Sequence, residues 1–128
     1  MIGLDTNVLV RFLMEDDPEQ SRLASLWIRK AEENKEMIFL SHVVLSELVW
    51  VLGGSYRMPK ARILDAVEEL LSARQVEVED YETVRHALHD YGLSSAGFAD
   101  CLVRRKAMAF GCSGFKTFDE KLSKVGFA

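Results

Sequence analysis

The chain has 128 residues, of which 48% are hydrophobic and 28% charged, and its formal net charge is −4 at pH 7. These values are typical of one folded domain, predicted over residues 1–128, and exclude a disordered or fibrous chain. The acidic balance excludes a uniformly basic nucleic-acid-binding protein, although a local basic patch is compatible with it. No apolar run approaches the ~20 residues of a membrane span. The two cysteines lack zinc-site spacing, so we expect a cytoplasmic protein with reduced thiols.

Apolar runs and polar turn residues predict alternating strands and helices in the first half of the chain. Asp17 and Pro18 are a typical N-cap and first residue of a helix, and Ser41 can cap another. The helix after Asp17 has an expected apolar stripe of Leu23, Leu26, Trp27 and Ala31. The predicted elements are a strand at 2–4, a short helix through 8–13, a helix at 18–34, a strand at 37–40 and a helix at 42–52 ended by Gly53 and Gly54.

The second half continues the alternation. Its predicted elements are a helix from Pro59 through Leu71, a strand at 75–78 near a sheet edge, a helix from Asp80 to Gly92 with Val84, Ala87, Leu88 and Tyr91 inside, a helix at 98–110 ended by Gly111, a strand at 113–118 and a closing helix after Asp119. Strands that alternate with helices predict an α/β fold with a parallel sheet and helices on both faces.

Four acidic residues stand out by their positions. Asp5 follows the first predicted strand and Asp119 follows the last, and ligands of an open parallel sheet bind at the carboxyl ends of its strands. Glu47 and Asp100 are each the only acid of an apolar helical segment. Because an unpaired carboxylate is costly to bury, we expect these two acids to be paired, hydrogen-bonded, protonated or bound to a metal.

Carboxylates that converge at one sheet edge repel each other unless a cation neutralises them. A cluster of acids without His or Cys favours hard ions such as Mg²⁺ or Mn²⁺, and such ions serve phosphoryl transfer. We therefore predict that Asp5, Asp100 and Asp119 hold one or two ions. Glu47 is expected to be a further ligand or a base that orients water. Neighbouring hydroxyl and amide groups are expected to hold the acids in place, namely those of Thr6, Asn7 and Thr117.

The strings around these acids resemble the motifs of PIN-domain ribonucleases. They are MIGLDTNVL around Asp5, LSEL around Glu47, FADCL around Asp100 and TFD around Asp119. They follow one another in the family's order over essentially the whole chain. At this size the chain is most similar to the VapC toxins of bacterial type II toxin–antitoxin modules. It departs from many relatives at Gly97, where they carry a further aspartate.

The resemblance implies a three-layer α/β/α sandwich with a central, mostly parallel sheet, and the activity of a Mg²⁺- or Mn²⁺-dependent endoribonuclease. It also implies an RNA substrate, a cognate antitoxin protein and a homodimer. Three arginines are candidate contacts for RNA phosphates: Arg11, Arg104 and Arg105. For Arg104 and Arg105 the alternative is a favourable charge toward a helix C-terminus.

Each acid also has a purely structural interpretation. Asp5 and Asp119 could simply cap the helices that follow them. Glu47 could pair with a Lys or Arg, and Asp100 could form an i,i+4 bridge with Arg104. The sequence alone leaves these interpretations open beside the metal site.

Two other functions stay open at this point. In a phosphatase that acts through an aspartyl-phosphate, Asp5 would be the nucleophile, but the haloacid-dehalogenase pattern has a second Asp where this chain has Asn7. A non-catalytic PIN-like module that binds protein or RNA is favoured by Gly97 and by the weakly apolar last strand. The remaining reactive side chains have structural interpretations: a solvated helix face for His86 and His89, and the core for Cys101 and Cys112.

Overall fold

The structure is a computed structural model that describes residues 1–125; residues 126–128, the end of the predicted domain, lie outside the described residues. Two compact units are present, Met1–Glu79 and a second that begins at Asp80, and each is described by itself. One domain over residues 1–128 therefore stays a prediction. The elements of the described residues are β1 (Ile2–Gly3), α1 (Thr6–Met14), α2 (Pro18–Glu33), β2 (Ile38–Leu40), α3 (His42–Gly54), α4 (Lys60–Ser72), β3 (Val76–Val78), α5 (Tyr81–Leu93), α6 (Phe98–Phe110) and α7 (Glu120–Ser123).

The three strands of the first unit form one parallel sheet in the order β1-β2-β3. Ile38 in the central strand pairs with Ile2 on one side and with Val76 on the other. Parallel strands need long crossover connections, and here each crossover is a pair of helices, α1 with α2 and α3 with α4. The predicted α/β class is confirmed, as is the position of β3 at a sheet edge.

Several helix ends follow the residues that predicted them. The carboxylate of Asp17 accepts a hydrogen bond from the backbone N–H of Gln20 at 3.1 Å, and α2 begins at Pro18. The hydroxyl of Ser41 accepts one from the N–H of Val44 at 3.2 Å and so caps α3. At the end of α6, Gly111 has φ +107°, a left-handed conformation that favours glycine. These predictions are confirmed.

The predicted stop at Gly53 and Gly54 is wrong, because α3 continues through both glycines. The N–H of Ser55 still donates to the carbonyl of Val51 at 2.9 Å, as in a regular helix. A Cβ atom at residue 53 would lie 3.5 Å from the Cδ1 atom of Ile63, which is an ordinary van der Waals contact, so the packing of α4 against α3 does not itself require a glycine there. The low helix propensity of glycine, about 1 kcal/mol per residue relative to alanine, therefore weakens this turn of α3 but does not end the helix. In the same way α5 runs past Gly92 to Leu93.

The strand predicted at residues 113–118 is absent; this segment is an irregular connection to α7. A strand of a parallel sheet is normally buried on both faces. Here Phe118 is fully exposed and Phe115 is only half-buried, while Ser113 and Gly114 have low strand propensity. The segment lacks the apolar surface that would hold it in a sheet.

The buried face of α2 differs from the predicted stripe. Its buried residues are Ser21, Ala24, Ile28 and Ala31, so of the four predicted positions only Ala31 is buried. The small side chains let α1 approach closely, and the Ser21 hydroxyl donates to the carbonyl of Arg11 at 2.9 Å. Leu23 and Leu26 are half-buried and Trp27 is 47% exposed. The larger residues therefore flank the contact instead of forming it.

In the second unit α5 packs against α6. The four predicted inward residues of α5 are buried, and the ring of Tyr91 meets the ring of Phe98 edge-on at 6.0 Å between centroids. Cys101 is buried as predicted, but Cys112 is exposed because it lies beyond the end of α6. His86 and His89 lie on the exposed face of α5, as predicted.

Among residues 1–125, no helix combines the length and apolarity of a membrane span.

Candidate functional site

Asp5 stands where the first strand gives way to α1. Its backbone is extended, and its Oδ1 accepts a hydrogen bond from the N–H of Thr6 at 2.8 Å, so it is the N-cap of α1. The carboxylate nevertheless stays exposed. The structural interpretation of Asp5 is correct, and the exposed carboxylate leaves it open to a further role.

Glu47 is linked to the same corner by Thr6. The buried Thr6 hydroxyl donates to Oε1 of Glu47 at 2.8 Å, although the two residues are 41 positions apart. Thr6 was expected to hold Asp5 by its hydroxyl; instead it uses its backbone N–H for Asp5 and its hydroxyl for Glu47. Two exposed carboxylates from different crossovers therefore contact one residue.

Glu47 reaches solvent although its helix is largely apolar. The inner face of α3 is buried through Leu45, Leu48, Val49 and Leu52. Val43 and Trp50 are exposed and lie at i−4 and i+3 from Glu47, on the same side of the helix. The alternative in which Glu47 pairs with a Lys or Arg is not the one found, since the helix is apolar on both faces, Glu47 lies on the outer one, and its carboxylate is hydrogen-bonded by Thr6.

Glu79, which sequence reasoning missed, lies directly after β3. Its Oε1 accepts a hydrogen bond from the N–H of His42, the first residue of α3, at 3.0 Å. It satisfies one of the N–H groups that a helix leaves unpaired at its start. The available signal was its position at the carboxyl end of a strand, the same signal that singled out Asp5.

The second unit carries Asp100 in the first turn of α6, where it is exposed. A negative charge is favourable at that end of a helix. The N-cap of α6 is Gly97, which supplies no side-chain hydrogen bond. A side chain added at Gly97 would begin 3.3 Å from Oδ2 of Asp100, so an acid at residue 97 would stand directly beside that carboxylate.

Asp119 is the N-cap of the short helix α7. Its Oδ1 accepts hydrogen bonds from the N–H groups of Lys121 at 2.8 Å and of Leu122 at 3.2 Å. Thr117, predicted to hold the carboxylate of Asp119, accepts a bond from its backbone N–H at 3.0 Å instead. The carboxylate is exposed, and its capping role matches the structural interpretation.

Arg104 and Arg105, the candidate phosphate contacts on α6, both bind Asp90 of α5. The Arg104 guanidinium donates to Oδ2 of Asp90 at 2.8 Å, and Arg105 donates to both carboxylate oxygens at 2.6 and 2.9 Å. Arg104 is only 3% exposed, so its charge is committed to Asp90 and not open to a phosphate. Burial alone would raise the pKa of Asp90, but hydrogen bonds from Arg105 and Arg104 lower it overall. Arg104 thus pairs with Asp90 and not with Asp100, the partner in the alternative interpretation of that acid.

Arg11, the third candidate, is held at the surface of the first unit. Its Nε donates to Oε1 of Gln20 at 2.8 Å, and its Nη1 donates to Asp16 at 3.2 Å and to the Tyr56 hydroxyl at 3.3 Å. The Tyr56 hydroxyl in turn donates to Asp16 at 2.6 Å. That hydrogen bond lowers the pKa of Asp16 and raises the pKa of Tyr56. Asp16 therefore balances the charge of Arg11.

Asn7, the last of the predicted supporting residues, is exposed on α1.

The four predicted acids are divided between the two units. Asp5 and Glu47 both contact Thr6 in the first unit, whereas Asp100 and Asp119 belong to the second. Within residues 1–125, no group of three or more His, Cys, Asp or Glu forms a ready metal site. The donor type nevertheless fits Mg²⁺ or Mn²⁺, since all four acids are exposed carboxylates, the oxygen donors that hard ions prefer.

Comparison with known proteins places the chain in a family. The family model described as "PIN domain" matches residues 2–128, so the chain belongs to the PIN domain family. It is also similar to a protein named "VapC ribonuclease" from Aquifex aeolicus (strain VF5). The two are 29% identical over 124 residues, which cover 97% of this chain and 91% of that relative. The resemblance to PIN domains that the four acidic motifs predicted is confirmed, and with it the PIN-like α/β fold.

Proposed function

We propose that the chain is a Mg²⁺- or Mn²⁺-dependent endoribonuclease and the toxin component of a toxin–antitoxin module in the cytoplasm. The observation that carries the proposal is the pair of exposed carboxylates, Asp5 and Glu47, that share Thr6. A helix cap needs only Asp5, so capping does not account for the hydrogen bond from Thr6 to Glu47. Membership of the PIN domain family and the similarity to a VapC ribonuclease support the same activity.

In this proposal Asp5, Asp100 and Asp119 hold one or two metal ions. A bound ion would activate water and stabilise the charge that develops on the phosphate and on the leaving oxygen. Glu47 either joins these ligands or accepts the proton of the attacking water, and the Thr6 hydroxyl fixes which way its carboxylate faces. Thr6, Asn7 and Thr117 support the acids, and of these Thr6 has the contacts that best suit the role.

The proposed partners follow from the same comparison. We propose an RNA substrate, a homodimer and a cognate antitoxin that covers the acidic site with a basic or bulky segment, for which a negative pocket is complementary. Of the three candidate arginines, Arg11 and Arg105 are partly exposed and remain proposed contacts of the RNA. Because each is already paired with an aspartate, each offers only part of its positive charge to a phosphate. Arg104 is buried and is left out of the proposed RNA surface.

A second candidate is a PIN-like module that binds protein or RNA without cleaving it. It is favoured by the capping role of Asp119 and by the absence of a strand at residues 113–118. It is also favoured by Gly97, which leaves one acid fewer than many relatives carry.

Cleavage of a labelled tRNA pool in Mg²⁺, in Mn²⁺ and in EDTA separates the two candidates. We expect discrete products that require the metal and that disappear in Asp5→Asn, because the amide removes a charged ligand. The matched control is Asp65→Asn, which changes an exposed aspartate on α4 outside the proposed site and should cleave normally. Metal-independent cleavage, or full activity in Asp5→Asn, would refute the assignment. Tight RNA or protein binding without cleavage would support the second candidate.

A further inference from the structure

A small pocket opens between α1 and α2, the first of which is capped by Asp5. It measures about 280 Å³ and is lined by Asn7, Val8 and Arg11 of α1 and by Gln20, Leu23 and Trp27 of α2. This volume lies just under the range of roughly 300–1,000 Å³ that drug-sized ligands occupy, so it suits a single ring system. We call it the α1–α2 pocket.

The pocket has a flat aromatic wall that the fold leaves open. Trp27 is 47% exposed because the close contact of the two helices is made by the small side chains of α2. Val8 and Leu23 add aliphatic surface next to the indole. An exposed indole beside aliphatic groups is the kind of platform on which unpaired bases stack.

The polar groups of the pocket are held in place before any ligand binds. Arg11 donates from Nε to Oε1 of Gln20 at 2.8 Å, which turns the amide N–H groups of Gln20 away from that bond and leaves them for another acceptor. Because Asp16 pairs with Arg11, the rim has little net charge. A near-neutral rim with amide groups suits the edge of a base, and the paired Arg11 keeps only a modest charge for a phosphate next to that base.

The location of the pocket connects it to the proposed chemistry. Asn7 and Val8 follow Asp5 by two and three residues at the start of α1. One turn of helix has 3.6 residues, so the first pocket residues lie within one turn of Asp5 along the chain. A nucleotide next to a phosphate held at Asp5 could therefore place its base there.

These observations lead to a substrate-binding assignment, which rests on the proposed function. The geometry points to the α1–α2 pocket as the binding site for one unpaired base of the RNA substrate, stacked on Trp27, next to the phosphodiester that is cleaved. Gln20 and Asn7 supply amide groups that can read the edge of the base. A peptide helix would need an extended groove with several anchor positions, which this compact pocket does not offer.

The first test uses fluorescence and needs no cleavage. The chain has two tryptophans, Trp27 and Trp50. In Trp50→Phe only Trp27 emits, and we expect adenosine or uridine to quench it saturably by stacking. In the matched variant Trp27→Phe only Trp50 emits, and we expect no saturable quenching. Absence of saturable quenching at Trp27, or equal quenching at both tryptophans, would overturn the assignment.

The second test measures binding of a single-stranded oligoribonucleotide to Asp5→Asn, a chain expected not to cleave it. Adding Trp27→Leu should weaken binding about 5- to 150-fold, which is the range of one base–aromatic stack. Adding Trp27→Phe should keep binding within about threefold, and adding Trp50→Leu should leave it unchanged. Equal effects of Trp27→Leu and Trp50→Leu would contradict a base site at Trp27.

The outcomes distinguish this assignment from the proposed function. If Trp27 binds bases but the unaltered chain cleaves no RNA with either metal, the pocket stands as a base-binding site, while the ribonuclease and the cleaved phosphodiester beside the pocket both fail. If the chain cleaves RNA but Trp27→Leu changes neither binding nor KM, the ribonuclease stands and the pocket fails. Quenching by peptides and not by nucleosides would assign the pocket to a protein partner and overturn the inference.

Discussion

At the scale of single residues, Thr6 does more than its position in the sequence indicates. A threonine has one backbone donor and one hydroxyl donor, and here each serves a different carboxylate. The hydroxyl is buried, so its bond to Glu47 has little competition from water. The orientation of Glu47 therefore depends on a residue in another crossover of the sheet.

Replacing Thr6 tests this dependence. Thr6→Val keeps the shape and the backbone bond to Asp5 but removes the hydroxyl, so we expect a loss of about 0.5–1.5 kcal/mol in the free energy of unfolding. RNA cleavage should fall about tenfold or more because Glu47 is no longer oriented, a loss of roughly 1.4 kcal/mol or more of transition-state stabilisation. Thr6→Ser, the matched control, keeps the hydroxyl and should retain most of the activity. Denaturant unfolding and cleavage assays check both, and equal activity in the two variants would show that Glu47 acts without Thr6.

At the scale of secondary-structure elements, Asp90 joins α5 to α6. It receives three hydrogen bonds from two adjacent arginines of α6, and its side chain is 8% exposed. The helix that is joined in this way is the one that carries Asp100 in its first turn. The pairing thus fixes the element on which one of the proposed metal ligands lies.

Removal of the Asp90 charge should be costly. Asp90→Asn leaves Arg104 buried without its anion, and breaking a buried pair in this way costs about 3–5 kcal/mol. Because the pKa of Asp90 is lowered in the folded chain, its contribution is complete above the usual aspartate pKa of 3.8 and is lost as the pH falls through the folded-state value. Acid unfolding below about pH 4 should therefore be less steep in Asp90→Asn than in the unaltered chain. Denaturant titrations from pH 7 to pH 2, with Asp65→Asn as control, check this; parallel pH profiles would contradict it.

The elements show which features of the fold could be predicted. The bounds of α6 and the caps at Asp17 and Ser41 were predictable because a few adjacent residues determine them. The continuation of α3 through its two glycines was not, because glycine only weakens a helix, and whether the helix goes on depends on the rest of the folded chain. The absence of a strand at residues 113–118 could not be predicted either, because the exposure of the apolar residues in this segment is a property of the folded chain.

The candidate site likewise has features that the sequence could predict and features that it could not. Its four acids could be found from local motifs and from their positions after strands or in apolar helices. The partners of the charged residues could not, because they are distant in sequence: Thr6 with Glu47, and Asp90 with Arg104. Periodicity gives the face of a helix but not the neighbour that this face meets. Hence Arg104 was a candidate for contact with phosphates and is instead buried in an ion pair.

At the scale of the whole molecule, the two cysteines report on folding. Cys101 is buried on α6 and Cys112 is exposed. Burial also raises the pKa of the Cys101 thiol, which lowers the fraction of reactive thiolate. We therefore expect the Cys101 thiol to react more slowly than the Cys112 thiol, both because a reagent reaches it less easily and because less of it is ionised.

Reaction with a disulfide reagent such as DTNB measures this difference. One thiol should react quickly in the native chain, and the second only at the rate at which the structure around α6 opens. Cys112→Ser should abolish the fast reaction, whereas Cys101→Ala should leave it intact. Rapid modification of both thiols in native buffer would show that α6 is not stably packed.

The shortness of the strands has a consequence for self-association. Within residues 1–125, the sheet ends on one side in β1, with two residues, and on the other in β3, with three. Long, flat, apolar edges recruit strands from other chains and start aggregates, whereas short or charged edges resist this. In β3 the middle residue is the exposed Glu77, and Glu79 and Asp80 follow directly. A strand added there would gain few backbone hydrogen bonds and would meet three negative charges, so the sheet offers little template for amyloid-like growth.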